Sequence, residues 1–133
     1  METHEYLKSF FHGKSFDELL EMAGSSDPNQ VLYLSDRISK MIKDCGKELT
    51  STQLRQLLNE VKDDSFAANK ADLARALPKL VYMEARQEKR NAQRVISFIR
   101  HLAASTATST RDKSYAAFKD ILNSVVAYHR LHH

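Results

Sequence analysis

The chain of 133 residues holds 3 glycines, 2 prolines, 1 cysteine and no tryptophan. So little Gly and Pro leaves too few tight turns for a sandwich or barrel of short strands. The lone Cys45 excludes an intramolecular disulfide, and the opening residues Met1, Glu2, Thr3, His4 and Glu5 lack the basic and apolar regions of a signal peptide. A cytoplasmic protein is therefore expected. Long apolar runs are missing too: charge interrupts every hydrophobic stretch well short of the about 20 residues that a membrane span requires.

What is present is a 42% hydrophobic content, enough to close one modest core over residues 1–133 as a single domain. The patterning is helical. Ser15 and Glu18 have the spacing of a capping box, with Gly24 placed to end the short helix that follows. Asp27 before Pro28 marks a second start, after which Val31, Leu34, Ile38, Met41, Ile42 and Cys45 recur on one face up to Gly46. Thr50 and Gln53 form a second capping box ahead of Leu54, Leu57, Leu58 and Val61, which leaves Arg55, Asn59 and Lys62 on the opposite side.

A further helix is expected from about Asp72 to Lys89, burying Leu73, Leu77, Leu80, Val81 and Met83 or Ala85, with Pro78 either kinking it or marking its true first turn. The helical pattern then continues over 91–104, with Val95, Ile96, Ile99 and Leu102 inward. The run Ser105–Thr110, all Ser, Thr and Ala, reads as a flexible connector whose Thr110 caps a last helix burying Tyr115, Phe118, Leu122, Val125 and Val126. The expected fold class is all-α, a single compact bundle of about five or six helices. Tyr6, Leu7, Phe10 and Phe11 make an apolar patch near the N-terminus, a candidate surface for self-association as a dimer or filament.

The net charge of +3 is unevenly spread. Residues 1–30 carry six acids against two lysines, a net of −4, so the rest of the chain carries +7, a distribution that hints at a polyanionic partner. Arg75, Lys79, Tyr82, Arg86 and Lys89 or Arg90 recur three or four residues apart, with Arg94, Arg100 and His101 just beyond. A rigid row of cations with an aromatic among them suits a nucleic-acid backbone, and such contacts position a strand without reading its sequence. The same positions also fit an ordinary solvated helix face partly paired with Glu84 and Glu88, and Tyr82 fits simple packing.

Catalytic and metal patterns are sparse. His129, His132 and His133 have no cysteine or carboxylate at ligand spacing, so a frayed tail is expected there and neither metal nor cofactor is called for. Arg94 and His101 match the loose Arg-x6-His spacing of helical HEPN ribonucleases, a spacing that chance supplies readily among 9 arginines and 6 histidines. Glycine-rich phosphate loops, His-Glu-x-x-His motifs and nucleophile–base pairs in motif context are missing. Besides RNA binding, the residues leave room for a helical ribonuclease and for a protein adaptor without RNA.

Three segments together carry a resemblance. They are Leu49-Thr50-Ser51-Thr52-Gln53-Leu54-Arg55, then Leu77-Pro78-Lys79-Leu80-Val81-Tyr82-Met83-Glu84-Ala85-Arg86, then Phe118-Lys119-Asp120-Ile121-Leu122-Asn123-Ser124-Val125-Val126-Ala127-Tyr128-His129. In order and separation they resemble the small-subunit family of type III-A CRISPR (Csm) effector complexes, over a family-like core of residues 47–130. Residues 1–46 match less well, and Met83-Glu84-Ala85 stands where that family usually has small residues. The resemblance implies a non-catalytic, antiviral ribonucleoprotein subunit that lines up along a filament, with crRNA, target RNA and the other effector subunits as partners. It implies RNA contact at Arg55, Lys79 and Arg86, and secondarily at Tyr82, Gln53, Lys62 and Arg90, independent of sequence because guide–target pairing does the reading. Tyr128 and His129 are expected to pack the last helix.

Overall fold

Four of the described helices start on a residue whose side chain caps them, namely Ser15, Asp27, Thr50 and Asn69. The computed structural model describes residues 2–62 and 69–133. Among the described residues are seven α-helices: α1 Thr3–Phe10, α2 Phe16–Ala23, α3 Pro28–Cys45, α4 Ser51–Val61, α5 Lys70–Arg86, α6 Arg90–Thr108 and α7 Ser114–His132. A 3-10 turn at Gly46–Glu48 joins α3 to the segment before α4.

Both expected capping boxes form. Ser15 Oγ accepts the Glu18 amide at 3.1 Å while Glu18 Oε1 accepts the Ser15 amide at 3.2 Å. Thr50 Oγ1 accepts the Gln53 amide at 3.1 Å, and Gln53 Oε1 accepts the Thr50 amide at 2.9 Å. Asp27 Oδ1 takes the Asn29 amide at 2.9 Å, with Pro28 at the first helical position. Each bond satisfies an amide that the first helical turn would otherwise leave unpaired. Thr50→Ala is expected to cost about 1 kcal/mol and lower the melting midpoint by a few degrees, checked by thermal denaturation followed by circular dichroism.

The core gathers around α6, whose Val95, Ile96, Phe98, Ile99 and Leu102 are all essentially inaccessible. α5 pairs with α6 along most of its length, α1 and α2 cover another side of α6, and α7 lies across α3 and α2. The helical stripes on α3 and α4 point inward as their spacing predicts, with Leu34, Ile38, Met41, Ile42 and Cys45 buried on one and Leu54, Leu57, Leu58 and Val61 on the other. Among the described residues no helix is long and apolar enough to cross a membrane.

Several details differ from the sequence reading. The seven helices exceed the expected five or six because the N-terminal apolar patch forms a helix of its own. Leu7 and Phe11 each retain 1% exposure, and the Phe11 ring stacks on Phe98 at 5.1 Å, so half of the patch expected as a self-association surface lies in the core. Val31 and Val81, expected to face inward, are 38% and 50% exposed.

The continuous pattern over 72–104 is broken at Gln87–Lys89, between α5 and α6, and Pro78 lies inside α5, more than two turns from its start. The expected connector Ser105–Thr110 is helical up to Thr108. Thr106 Oγ1 donates to the Leu102 carbonyl at 2.8 Å and Thr108 Oγ1 to that of Ala104 at 3.1 Å, so these hydroxyls are satisfied within the helix. Thr110 does not cap the last helix, which begins at Ser114. Lys70 organises that connection instead, its Nζ donating to the carbonyls of Ser109 at 2.6 Å and Arg111 at 3.2 Å and to Ser114 Oγ at 3.0 Å.

Candidate nucleic-acid interface

Helix α4 presents its polar side between two grooves. Its apolar stripe is buried, leaving Thr52, Arg55, Gln56 and Asn59 exposed on the outer ridge. On one flank, between α4 and α7, Arg55 and Arg130 line a cavity of about 220 Å³ together with Ser51, Leu54, Val126 and His129. Lys62 lies on the same flank, its Nζ donating to Asn123 Oδ1 on α7 at 2.7 Å. On the other flank, between α4 and α5, Gln53 and Arg86 line a cavity of about 260 Å³ with Leu49, Gln56, Met83, Gln87 and Ile96.

The sequence-predicted cations therefore divide into two sets astride one helix. Arg55, Arg86 and Arg90 are exposed and have no ion pair among the described residues. Arg86 rests over the Tyr82 ring at 5.4 Å, and that ring is 62% exposed. Lys79 points to α4, 3.3 Å from Glu60. That pair is largely solvated, and pairs of this kind contribute at most about 1 kcal/mol, so the ammonium can exchange its partner for a phosphate.

Other members of the expected stripe are occupied. Arg75 pairs with Asp72 at 2.6 Å, Lys89 with Glu48 at 3.0 Å, and the half-buried Arg100 with Glu84 at 2.9 Å. The stripe thus narrows to Lys79, Tyr82 and Arg86, with Arg90 at the start of α6. Arg130 was missed, because one arginine in the last turn of a terminal helix has no partner in its own spacing pattern. It comes beside Arg55 only when α7 folds against α4.

The C-terminal histidines hold this arrangement in place instead of fraying. His129, 5% exposed, donates its Nε2 proton to the Leu49 carbonyl at 2.7 Å and lies 3.2 Å from that of Gly46. His133 donates to the Ile42 carbonyl at 2.9 Å, and His132 Nε2 meets Ser39 Oγ at 3.1 Å. Leu49 directly precedes Thr50, the cap of α4, so the end of α7 fixes where α4 begins. A Cβ on Gly46 would come within 3.0 Å of Ile42 and 3.3 Å of both the His129 and His133 rings, which explains glycine at this position. Tyr128 packs alongside, its hydroxyl bonded to Ser35. Among the described residues no cluster of three or more His, Cys, Asp or Glu could hold a metal ion.

Arg94 and His101, the pair with ribonuclease spacing, are both engaged inside the protein. Arg94 lies over the Tyr6 ring at 3.9 Å and donates to Asn91 Oδ1 at 3.2 Å. His101 stacks on Phe16 at 4.8 Å and donates Nδ1–H to the Ser97 carbonyl at 2.8 Å. Burial holds its pKa below the ordinary 6.5. The unfolded chain therefore takes up a proton that the folded one resists, and stability falls as pH drops below about 6.5, levelling once the folded imidazole titrates as well. His101→Gln is expected to lose less stability than the parent between about pH 7 and pH 5, measured as the shift of the urea midpoint.

No curated protein and no solved structure matches the chain. The family model described as Csm2 Type III-A matches residues 25–133, a span that begins just after α2 and takes in α3 to α7 with both grooves. With most of the chain covered by that match, the protein belongs to the Csm2 Type III-A family, the small subunit of type III-A CRISPR effector complexes.

Proposed function

We propose that this subunit binds the backbones of crRNA and target RNA without regard to sequence, bridges neighbouring effector subunits and takes no part in chemistry itself. The observation that carries the reading is the placement of Arg55, Arg130 and Arg86 on the two flanks of α4 with no ion-pair partner among the described residues. Guanidinium groups present several N–H donors in a plane and suit phosphate oxygens, so unpaired arginines beside open grooves favour a polyphosphate chain. Lys79 and Lys62 extend the positive field on either side, while Arg90, Gln53 and Tyr82 offer further contacts. The exposed Leu32, Val81 and Leu131 support the bridging part, since large apolar side chains at the surface fit contact with other subunits.

Reconstitution of the type III-A effector with and without this subunit tests the reading, with target-RNA binding as the score. Omission is expected to weaken target binding and, because fewer counterions are then released, to make its loss with salt shallower. Equal binding by the two assemblies at every salt concentration would overturn it.

A further inference from the structure

The two grooves beside α4 differ in chemistry, and the difference points to two different parts of a nucleotide. Both grooves have apolar floors, Leu54, Leu58 and Val126 in the α4–α7 groove and Leu49, Met83 and Ile96 in the α4–α5 groove, but the first has two arginines on its wall where the second combines three carboxamides, Gln53, Gln56 and Gln87, with Arg86. A phosphate has no use for the acceptor oxygens of carboxamides. A planar heterocycle with donors and acceptors along its edge uses both ends of such amides.

We infer that the α4–α5 groove is a pocket for one unpaired nucleobase of the bound RNA. The inference rests on the RNA-binding reading above and adds what the second groove recognises.

Two of the carboxamides are held in complementary orientations by their own local bonds. Gln53 Oε1 is committed to the Thr50 amide at 2.9 Å, so its NH₂ is the end left to donate. Gln87 Nε2 reaches back to the Met83 carbonyl at 3.4 Å, so its oxygen is the end left to accept. Gln56 makes no side-chain hydrogen bond among the described residues and can turn either end inward. One fixed donor, one fixed acceptor and one adaptable amide match the edge of any base without selecting among them. The cavity of about 260 Å³ admits one base, and Tyr82, 62% exposed with the Arg86 guanidinium 5.4 Å from its ring centre, offers a stacking surface next to it. A base reaches such a pocket only when it is out of a continuous duplex, so unpaired RNA is favoured over a blunt duplex of equal length.

The test uses the purified full-length chain with a short oligouridylate, the same strand with several bases removed but its phosphates kept, and a blunt RNA duplex. The parent is expected to bind the oligouridylate about tenfold more tightly than the abasic strand, as one stacked and hydrogen-bonded base supplies. Gln56→Leu with Gln87→Met, which keeps size and helix while removing both amides, is expected to shrink that ratio to about twofold and to leave duplex binding unchanged. Equal binding of the intact and abasic strands by the parent, or an undiminished ratio in the double variant, would overturn the pocket and leave backbone binding standing. Absence of binding to all three ligands would overturn the RNA-binding reading itself, and the pocket with it.

Discussion

Replacing Arg55, Arg86 and Arg130 together with glutamate is expected to abolish salt-sensitive RNA retention while leaving the far-ultraviolet circular dichroism of the protein unchanged. All three side chains are exposed, and none has an acid within ion-pair distance among the described residues. Substitutions at such positions usually stay within about 0.5 kcal/mol of the parent's stability. The one packing contact at stake, Arg86 on Tyr82, contributes about 0.5–1 kcal/mol at an exposed site. Binding is a different matter, because each lost phosphate contact removes a released counterion and each new carboxylate repels the strand. The slope of log affinity against log salt is expected to fall in magnitude by about 2–3 for the triple variant, so that no binding survives at physiological salt. Lys79→Glu alone has a smaller effect, since it replaces a cation already shared with Glu60 by an acid beside an acid. Filter retention across a salt series measures all of this, and a triple variant that binds like the parent removes the case for the α4 flanks as the RNA surface.

Phe98→Ala is expected to be strongly destabilising, costing about 3–5 kcal/mol from the total of about 5–15 kcal/mol typical of a domain. Phe98 is fully buried on α6, where its ring stacks on Phe11 at 5.1 Å and meets Phe16 at 6.5 Å. One side chain thus ties the segments around α1 and α2 to the central helix. Its removal leaves a cavity that neither flanking ring can fill, because Phe11 also packs edge-on against Phe10 and Phe16 already stacks on His101. Urea denaturation measures the cost, and a loss below about 1 kcal/mol would mean that the three rings do not anchor the N-terminal helices.

Features decided within one helical turn were legible in the sequence. The capping boxes at Ser15 and Thr50 and the stop at Gly46 involve residues three or four apart, and the chain places them where spacing predicts. Features decided by distant partners were not. The hydroxyl-rich run 105–110 looks like a connector until Thr106 is seen buried and bonded within its own helix. Val31 and Val81 look like core because hydrophobicity alone does not reveal that the described residues leave them 38% and 50% exposed.

The candidate site divides along the same line. Arg55, Arg86 and Gln53 were legible as candidates because they sit within recognisable motifs. Arg130 was not, because its relation to Arg55 exists only across the α4–α7 groove. Lys89 and Arg75 kept their places in the repeating pattern and lost their availability to Glu48 and Asp72. The histidines of the last helix show the reverse case. Ligand spacing offered them no role and only packing was expected of His129, yet it also reaches the carbonyl that immediately precedes the cap of α4 and so sets the seat of the arginine-bearing helix.

The single cysteine gives this protein a built-in clock. Cys45 is 2% exposed, with its sulfur 3.3 Å from the Tyr6 hydroxyl of the first helix. A maleimide can reach that sulfur only when the packing around it opens, lifting of the first helix included, so the alkylation rate under native conditions reports on such openings. Any ligand that steadies the N-terminal segment will register as slower labelling, with no dye or mutation added to the chain.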